Sequence, residues 1–347
     1  MYSDADLDAA IEAGVLTPAA VADFRAYAAA QRSSPVADEE HFRLLTGFND
    51  IFVSIATLLM LVALGWLGGQ ISPGIGAILT GAASWALSEY FTLKRRMALP
   101  SIVLLVAFTM SGYFAVLFAF TWFSQPDMAN PLGLGGALAG AGIAAYIHWR
   151  RFMVPITLAL LSAAAVGSVL LLLLAAFPAV QPYQSPLFLV GGVGVFALAM
   201  RWDISDLDRK TRRSDVAFWL HLAAAPMMVH PVFAMLGLAN VGLIFLPRAG
   251  TEPLGLGAAA LAVAIYVGLA GVALAIDRRA LLVSSLFYVL YALSTLFRAA
   301  GSLSFSLGLT ALVIGSGLLL LSAFWHRARM VMLNLVPAGL RRRLPPS

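Results

Sequence analysis

Ten apolar runs, each close to the length that a helix needs to cross a bilayer, fill most of residues 50–325. A hydrocarbon core about 30 Å thick requires roughly 20 apolar residues in a helix. Lipid offers the backbone no hydrogen-bond partners, so such a run must satisfy its own amides and carbonyls by forming a helix. The runs lie at 50–69, 73–93, 99–123, 131–148, 153–177, 185–201, 215–246, 254–276, 280–298 and 302–325. The sequence therefore predicts an all-α, polytopic transmembrane helical bundle of about ten spans.

Composition excludes an ordinary soluble protein. The chain is 61% hydrophobic and 11% charged, with a mean hydropathy of +0.89. A soluble domain carries roughly a quarter of its residues as Asp, Glu, Lys and Arg. Cysteine is absent, which excludes disulfides, thiolate metal sites and cysteine nucleophiles. No cofactor is predicted.

Basic residues alternate along the chain in a way that predicts its orientation. Those that precede the first run or follow even-numbered runs make up 20 of the 22 Lys and Arg residues, the exceptions being Arg248 and Arg298. Cytoplasmic loops of membrane proteins are enriched in Lys and Arg. We therefore expect a multi-pass membrane protein with both termini in the cytoplasm. Its basic clusters are expected to meet membrane lipids, not nucleic acid.

Residues 1–36 are predicted to form a small cytosolic helical hairpin with a hinge. Ser3 can cap its first helix, Gly14 can end it, and Thr17 followed by Pro18 can start a second. No basic stretch leads into an apolar core here, so no cleavable signal peptide is expected. A hairpin of this size buries little core, which predicts packing on the membrane domain, 37–329, or on a protein partner.

The C-terminal segment, 330–347, is a predicted cytosolic basic tail. Its apolar residues precede Arg341, Arg342 and Arg343, a pattern typical of a segment that lies on anionic lipid. The alternative is a disordered tail. Oligomeric state is not predicted.

Three basic turns resemble one another and raise the hypothesis of repeated hairpins. They begin at Lys94, Trp149 and Asp277, and each contains two consecutive arginines before an apolar run. Duplication of a hairpin unit would explain the similarity. The alternative is that basic turns look alike because charge alone is selected at that membrane face.

The seventh run is longer than one straight span needs. It covers about 32 residues and contains Pro226 and Pro231. Each proline lacks an amide donor and leaves a carbonyl to be satisfied by a neighbour, water or ligand. The pattern predicts a broken or strongly kinked helix that lines a polar site.

Four residues of this run are the candidate substrate or proton pathway: Asp215, His221, His230 and Asn240. Ionisable residues inside membranes usually face a bundle interior or water, and imidazole titrates near neutral pH. Alternatively, each histidine is a packing residue bonded to a neighbour. Nine residues separate the two histidines, so an unbroken helix would point them in opposite directions.

Other polar residues have simpler interpretations. Met227, Met228 and His230 suggest copper by their chemistry, but packing explains the methionines and no metal site is predicted. His148 and His326 are assigned to the membrane interface beside arginines. Ion pairs are expected for Glu89 with the basic cluster from Lys94, and for Asp277 beside Arg278. The acidic and basic segment 201–210 is interpreted as a solvated linker, and the glycines of 133–142, 191–192 and 315–317 as helix-packing residues.

No nucleotide-binding, zinc-protease or serine-hydrolase motif occurs, so a catalytic site is not predicted and an enzyme is the less favoured class. The leading hypothesis is a transporter or permease-like protein with a polar site at the seventh span. The alternative is a membrane scaffold or sensor whose N-terminal hairpin binds a partner, and the third is a lipid-modifying enzyme.

The N-terminal part of the chain resembles a group of bacterial polytopic membrane proteins defined only as a domain of unknown function. The resemblance rests on the pattern Leu7, Ile11, Gly14, Leu16, Thr17 and on the segment Gly47-Phe48-Asn49-Asp50-Ile51-Phe52. It is specific over about the first sixty residues and loose beyond them. The resemblance implies architecture and bacterial origin, and with them a bacterial inner (plasma) membrane as the location, but no activity.

Overall fold

The apolar runs fold into helices with bounds close to those expected. The computed structural model describes residues 7, 10–24, 48–124, 130–206, 211–235, 255–299, 306–335 and 337, and no strand occurs within them. In the membrane region the helices are α1 Phe48–Ile71, α2 Pro73–Ser88, α3 Ala98–Ser124, α4 Pro131–Phe152, α5 Ile156–Ala176, α6 Gln184–Ile204, α7 Arg212–Phe233, α8 Leu256–Ile276, α9 Ala280–Ala299, α10 Ser306–Ala323 and α11 Trp325–Leu335. The prediction of an all-α helical bundle is confirmed.

Polar residues fix where several of these helices begin. Ser72 accepts a hydrogen bond from the amide of Ile75 at 3.2 Å and precedes Pro73, the first residue of α2. Asn130 caps α4 in the same way, ahead of Pro131. A side-chain acceptor satisfies one of the first free amides of a helix, and proline lacks an amide where none is needed.

The chain divides into two compact units, Met1–Arg43 and Leu44–Ser347. In the first, residues 10–12 and 18–24 are helical, and Gly14 between them adopts a left-handed conformation with φ of 70°. The hydroxyl of Thr17 accepts a hydrogen bond from the amide of Ala20 at 3.2 Å. The predicted roles of Gly14 and Thr17 are therefore confirmed, whereas Ser3 and the hinge lie outside the described residues.

Seven of the described helices are long and apolar enough to cross a membrane, and the chain is an integral membrane protein. An eighth span is added if α10 and α11, which meet at 80°, count as one broken span. The expected number of about ten is not reached in the described part of the chain. α2 has 16 residues before it continues as a π-helix over Glu89–Lys94.

The described part of the seventh run contains no break, whereas the alternative of a strong kink stays a prediction. α7 is one continuous helix from Arg212 to Phe233 and contains both Pro226 and Pro231. Proline is tolerated in membrane helices where neighbours and small backbone adjustments satisfy the freed carbonyls. The sharp bend that the structure does show lies between α10 and α11. Residues 236–254, which include Asn240, lie outside the described residues.

α7 is the central helix of the second half of the bundle. It packs against α5, α6 and α9, and 56% of its span is buried, against 17–44% for the other candidate spans. Close approach of α6 is allowed by Gly192, because a Cβ there would lie 2.7 Å from the backbone carbonyl of Met227. Helix pairs in membranes commonly use small residues at such contacts. The packing role predicted for Gly192 is confirmed, whereas a Cβ added at Gly315 or Gly317 would meet no described atom within 4 Å.

Each of the three similar basic turns contains one non-glycine residue in the left-handed conformation: Arg96, Met153 and Asp277, with φ of 52°, 51° and 57°. These residues stand at different places relative to the paired arginines. In the first turn the left-handed residue is the second arginine, in the next it follows the pair, and in the third it precedes the pair. The three turns thus share a left-handed backbone conformation, but it occurs at a different position relative to the arginine pair in each. Duplication stays a hypothesis.

Candidate functional site

A buried carboxylate at the end of α6 is the centre of the candidate site. Asp203 lies in the last turn of α6 and is only 3% exposed. A negative charge is unfavourable at the C-terminal end of a helix, and a buried carboxylate is costly without partners. Asp203 therefore requires positive charge or hydrogen-bond donors from other helices.

Two side chains from separate parts of the chain supply those donors. Arg278 donates from Nη2 to Oδ1 of Asp203 at 2.5 Å and from Nε to Oδ2 at 3.2 Å. The Nε2 atom of His221, on α7, lies 2.9 Å from Oδ2. Since an ionised carboxylate can only accept, this geometry places the proton on Nε2 of His221. Arg278 is 2% exposed and His221 is fully buried.

The turn between α8 and α9 positions Arg278. The amide of Arg278 donates to the carbonyl of Ala273 at 2.9 Å, and the amide of Asp277 to that of Leu274 at 3.4 Å. This pair of bonds is the Schellman ending of a helix, in which the left-handed residue is usually glycine. Here it is Asp277, and aspartate is among the few residues that enter this conformation at moderate cost. A carboxylate in a position that favours glycine suggests that its side chain has a role.

The side chain of Asp277 connects the turn to α11. Its Oδ1 accepts a hydrogen bond from the indole Nε1 of Trp325 at 2.7 Å and lies 3.8 Å from Nε of Arg329. Trp325 is 4% exposed and Arg329 is 2% exposed. The guanidinium of Arg279 lies over the Trp325 ring, 4.9 Å from its centroid. Two adjacent residues of this turn therefore bond to different helices: Asp277 to α11 and Arg278 to α6.

We call these residues the buried ionic cluster: Asp203, His221, Asp277, Arg278, Trp325 and Arg329. Two carboxylates face two guanidinium groups, so the formal charges cancel when His221 is neutral. The cluster joins α6, α7, the α8–α9 turn and α11. Buried ion pairs are strongly disrupted when one partner is lost, because the other charge remains buried. The arrangement can therefore hold four parts of the bundle together, and its charge balance depends on protonation.

The three described residues of the predicted pathway, Asp215, His221 and His230, have different surroundings. His221 belongs to the buried ionic cluster, whereas Asp215 is exposed on the first turns of α7. His230 is half-buried, and its Nδ1 lies 2.5 Å from the hydroxyl of Tyr288 on α9. The Tyr288 ring stacks on Phe233 at 4.4 Å. Asn240 lies outside the described residues.

The distance along α7 explains why the two histidines form separate sites. Nine residues correspond to about 13 Å along an α-helix. Between the histidines, Ala224, Ala225 and Met227 are buried in apolar clusters with α6, α8 and α11. Met228 packs against two of the same clusters. Packing therefore accounts for both methionines, and the described residues contain no group of three His, Asp or Glu side chains suited to a metal ion.

The interpretation of segment 201–210 as a solvated linker is wrong for its first part. Residues up to 204 belong to α6, and Asp203 is buried. The signal was present in the sequence as helical spacing, because Asp203 follows Ala199 by four residues and Val195 by eight, all on the buried face. Trp325, Arg329 and Leu333 repeat the same spacing on α11.

Ion pairing was expected at Glu89 and Asp277, but with other partners. Glu89 forms a two-point ion pair with Arg151 at the end of α4, with both N–O distances at 2.8 Å. Both side chains are substantially exposed. Asp277 faces Trp325 and Arg329, not the adjacent Arg278. Only the contacts between helices could decide these pairings.

His148, which the sequence assigns to the membrane interface, packs among aromatic side chains. It is fully buried in α4, with its ring 4.5 Å from Phe152 and 5.9 Å from Phe108. Neither ring nitrogen has a hydrogen-bond partner among the described residues. His326, in contrast, is exposed on α11.

Comparison with known proteins adds no further identification. No protein-family model matches the chain, and no curated protein and no solved structure shows a significant match to it. The family resemblance of the N-terminal segment stays a hypothesis, and function has to be inferred from the buried ionic cluster.

Proposed function

We propose that this integral membrane protein is a transporter in which the buried ionic cluster acts as a proton-responsive lock. The observation that carries the proposal is the sharing of one buried carboxylate, Asp203, between an imidazole and a guanidinium inside a helix bundle. Ionisable residues within membrane helices commonly mark ion pathways and proton relays. The central position of α7 supports the proposal, because a change at His221 reaches several neighbouring helices.

By a lock we mean ion pairs that hold the helices together until a proton is taken up, and this behaviour follows from the charge balance of the cluster. With Asp203 ionised and His221 neutral, Arg278 has a full counter-charge. A proton that enters the Asp203–His221 pair either neutralises the carboxylate or converts the imidazole to a cation. In both cases a buried positive charge is left without full compensation, which costs several kcal/mol. Proton uptake therefore favours separation of the α8–α9 turn from α6 and α7.

The first test measures proton binding directly, since the substrate is not identified. The purified protein is reconstituted into liposomes on a solid-supported membrane, and a pH jump is applied. We expect a transient displacement current from the wild-type protein. His221→Gln should reduce it, because the Gln amide can still donate to Asp203 but cannot take up a proton, which leaves Asp203 as the one proton acceptor of the pair.

The control is Glu89→Gln, which removes a carboxylate from an exposed ion pair outside the cluster. Its displacement current should equal that of the wild type. No current from the wild-type protein, or an unchanged current in folded His221→Gln protein, would overturn the proposal. If a current is observed, screening solutes for proton-coupled uptake in the same liposomes identifies the substrate.

A bacterial inner-membrane location with both termini in the cytoplasm is part of the proposal. It is supported by the 20 of 22 basic residues on one predicted side. Because the chain has no cysteine, single cysteines report orientation cleanly. Ser205→Cys, exposed after the end of α6, should react with a membrane-impermeant maleimide only after cell lysis. Tyr183→Cys, in the turn before α6, should react in intact cells, and the reverse pattern would contradict the orientation.

A second candidate, a membrane sensor, is favoured by one observation. The Trp325–Asp277 bond connects the buried ionic cluster to α11. A sensor would change the position of α11 on protonation without moving solute. Uptake of any solute that depends on His221 would decide for the transporter.

A further inference from the structure

α11 differs from the other described helices of the membrane region in direction and in charge. It meets α10 at 80° after Phe324 and packs on α8. At 11 residues it is about 16 Å long, too short to cross a bilayer. If α10 spans the membrane, a helix at this angle runs nearly parallel to the membrane surface.

One face of α11 is fixed to the protein. Trp325, Arg329 and Leu333 are each at most 4% exposed and follow one another at four-residue spacing. Trp325 is bonded to Asp277, and Met332 lies against Gly271 of α8, where an added Cβ would be 3.2 Å from the methionine methyl. The orientation of α11 about its own axis is therefore set by packing.

The opposite face combines apolar and basic side chains. Met330 is 51% exposed and Val331 is 66% exposed. Arg327 is also exposed, and viewed down the helix axis it projects between these two side chains. The Arg327 guanidinium lies over the half-exposed ring of Phe324, 5.7 Å from its centroid. Arg279 lies on the ring of Trp325 at the start of the same helix. Apolar groups mixed with arginine are typical of helices that lie at the level of lipid headgroups.

The charge of this region is one-sided. Residues 278–347 contain no Asp or Glu, so Asp277 is the last acidic side chain of the chain. That carboxylate is buried and faces Trp325 and Arg329. No acidic side chain of the last seventy residues can therefore neutralise Arg327. An anionic lipid headgroup complements this surface, because each basic residue near such a membrane contributes about 1 kcal/mol of attraction.

We propose that α11 lies in the plane of the membrane surface and binds anionic lipid headgroups through Arg327, with Met330 and Val331 inserted among the upper acyl chains. The proposal does not depend on transport. It assigns the exposed face of α11 to lipid, and the Asp277–Trp325 bond holds that face in its orientation.

The test measures the depth of a spin label at Met330→Cys in the full-length protein. The absence of native cysteine makes this label unique. The protein is reconstituted in phosphatidylcholine vesicles with and without 30% phosphatidylglycerol, and accessibility to oxygen and to a nickel chelate gives the depth. We expect the label about 5–10 Å below the headgroups in anionic vesicles. In neutral vesicles, or at high salt, it should be shallower and more mobile.

Two variants separate α11 from the basic tail. Arg327→Gln should reduce the effect of anionic lipid on the label, and it should fold because Arg327 is exposed. Replacing Arg341, Arg342 and Arg343 together by Gln should leave most of the effect. A label at Tyr183→Cys, in the turn before α6, should not respond to lipid charge.

Three results would overturn the proposal. A label depth that is the same with and without phosphatidylglycerol excludes recognition of anionic lipid. A label near the bilayer centre shows that α10 and α11 form a re-entrant or broken span. A lipid effect lost only in the tail variant assigns binding to the tail. None of these results bears on the pH-jump current, so the two proposals fail separately.

Discussion

The carboxylate of Asp203 accepts two hydrogen bonds from the guanidinium of Arg278, which lies 75 positions later in the chain. Both side chains are almost completely buried. This pair joins the end of α6 to the turn between α8 and α9. Its stability, its dependence on neighbouring residues and its link to α11 can each be measured.

Loss of one partner of this pair should strongly destabilise the bundle. Arg278→Met leaves a buried carboxylate with His221 as its remaining described partner, and Asp203→Asn leaves a buried guanidinium. We expect each to cost about 3–5 kcal/mol. The double variant should cost less than the sum of the two, since neither charge is then left alone. Unfolding in a mild detergent, followed by circular dichroism, measures these values; additive costs would show that the two residues act independently.

The Trp325 indole should stabilise the fold through its hydrogen bond as well as its packing. Trp325→Phe keeps most of the ring but leaves the Asp277 carboxylate without the indole donor. We expect a loss of about 1–3 kcal/mol. Trp122→Phe is the matched control, because Trp122 is 79% exposed on α3. Equal melting temperatures for the two variants would contradict a structural role for the Trp325 bond.

Asp277 should contribute to the stability of the fold through both its left-handed backbone conformation and its side chain. Asp277→Asn keeps an acceptor for Trp325 and a residue that tolerates positive φ, so it should be the mildest change. Asp277→Gly removes the acceptor but relieves the backbone. Asp277→Ala loses the acceptor and keeps about 1 kcal/mol or more of backbone strain. The expected order of melting temperatures is Asn, Gly, then Ala; alanine above glycine would show that strain is unimportant here.

Any side chain at Gly192 should destabilise the contact between α6 and α7. A Cβ at this position would lie 2.7 Å from the backbone of Met227, and backbone atoms cannot move aside cheaply. Gly192→Ala should therefore cost about 1–3 kcal/mol. Two residues away, a Cβ added at Gly194 would meet nothing within 4 Å in the part of the chain that the structure describes. Gly194→Ala should be neutral or slightly stabilising because alanine is the better helix former, and thermal unfolding of the two variants side by side tests the contrast.

The exposed pair of Glu89 and Arg151 should respond to acid in a defined direction. Hydrogen bonds from Arg151 lower the pKa of Glu89 from its usual 4.5. A carboxyl whose pKa is lower in the folded state adds stability that is complete above its unfolded pKa and is lost as pH falls through the folded pKa. The difference in melting temperature between wild type and Glu89→Gln should therefore be small and constant above about pH 5. It should shrink on further acidification, and a difference that widens would contradict the assignment.

The amino-acid sequence by itself determined the helices of this protein. Apolar length and the lack of hydrogen-bond partners in lipid leave the backbone only the helix. The predicted runs therefore match α1 to α6 and α8 to α10 within a few residues, and the seventh run matches α7 at its start. Local chemistry also determined helix starts, as at Asn130 and Pro131, because a cap and the residue it serves are neighbours in the chain.

Tertiary structure decided the pairing of charges and the role of each histidine. The sequence assigned Asp203 to a solvated linker, but α7 and the α8–α9 turn enclose it. It also grouped Asp215 with His221 in one pathway, although of the two only His221 belongs to the buried ionic cluster. Pro226 and Pro231 predicted a break, but α7 continues through both. The physical reason is the same in each case. Helix formation in lipid depends on local composition, whereas the burial and pairing of a charge depend on which distant helix packs beside it.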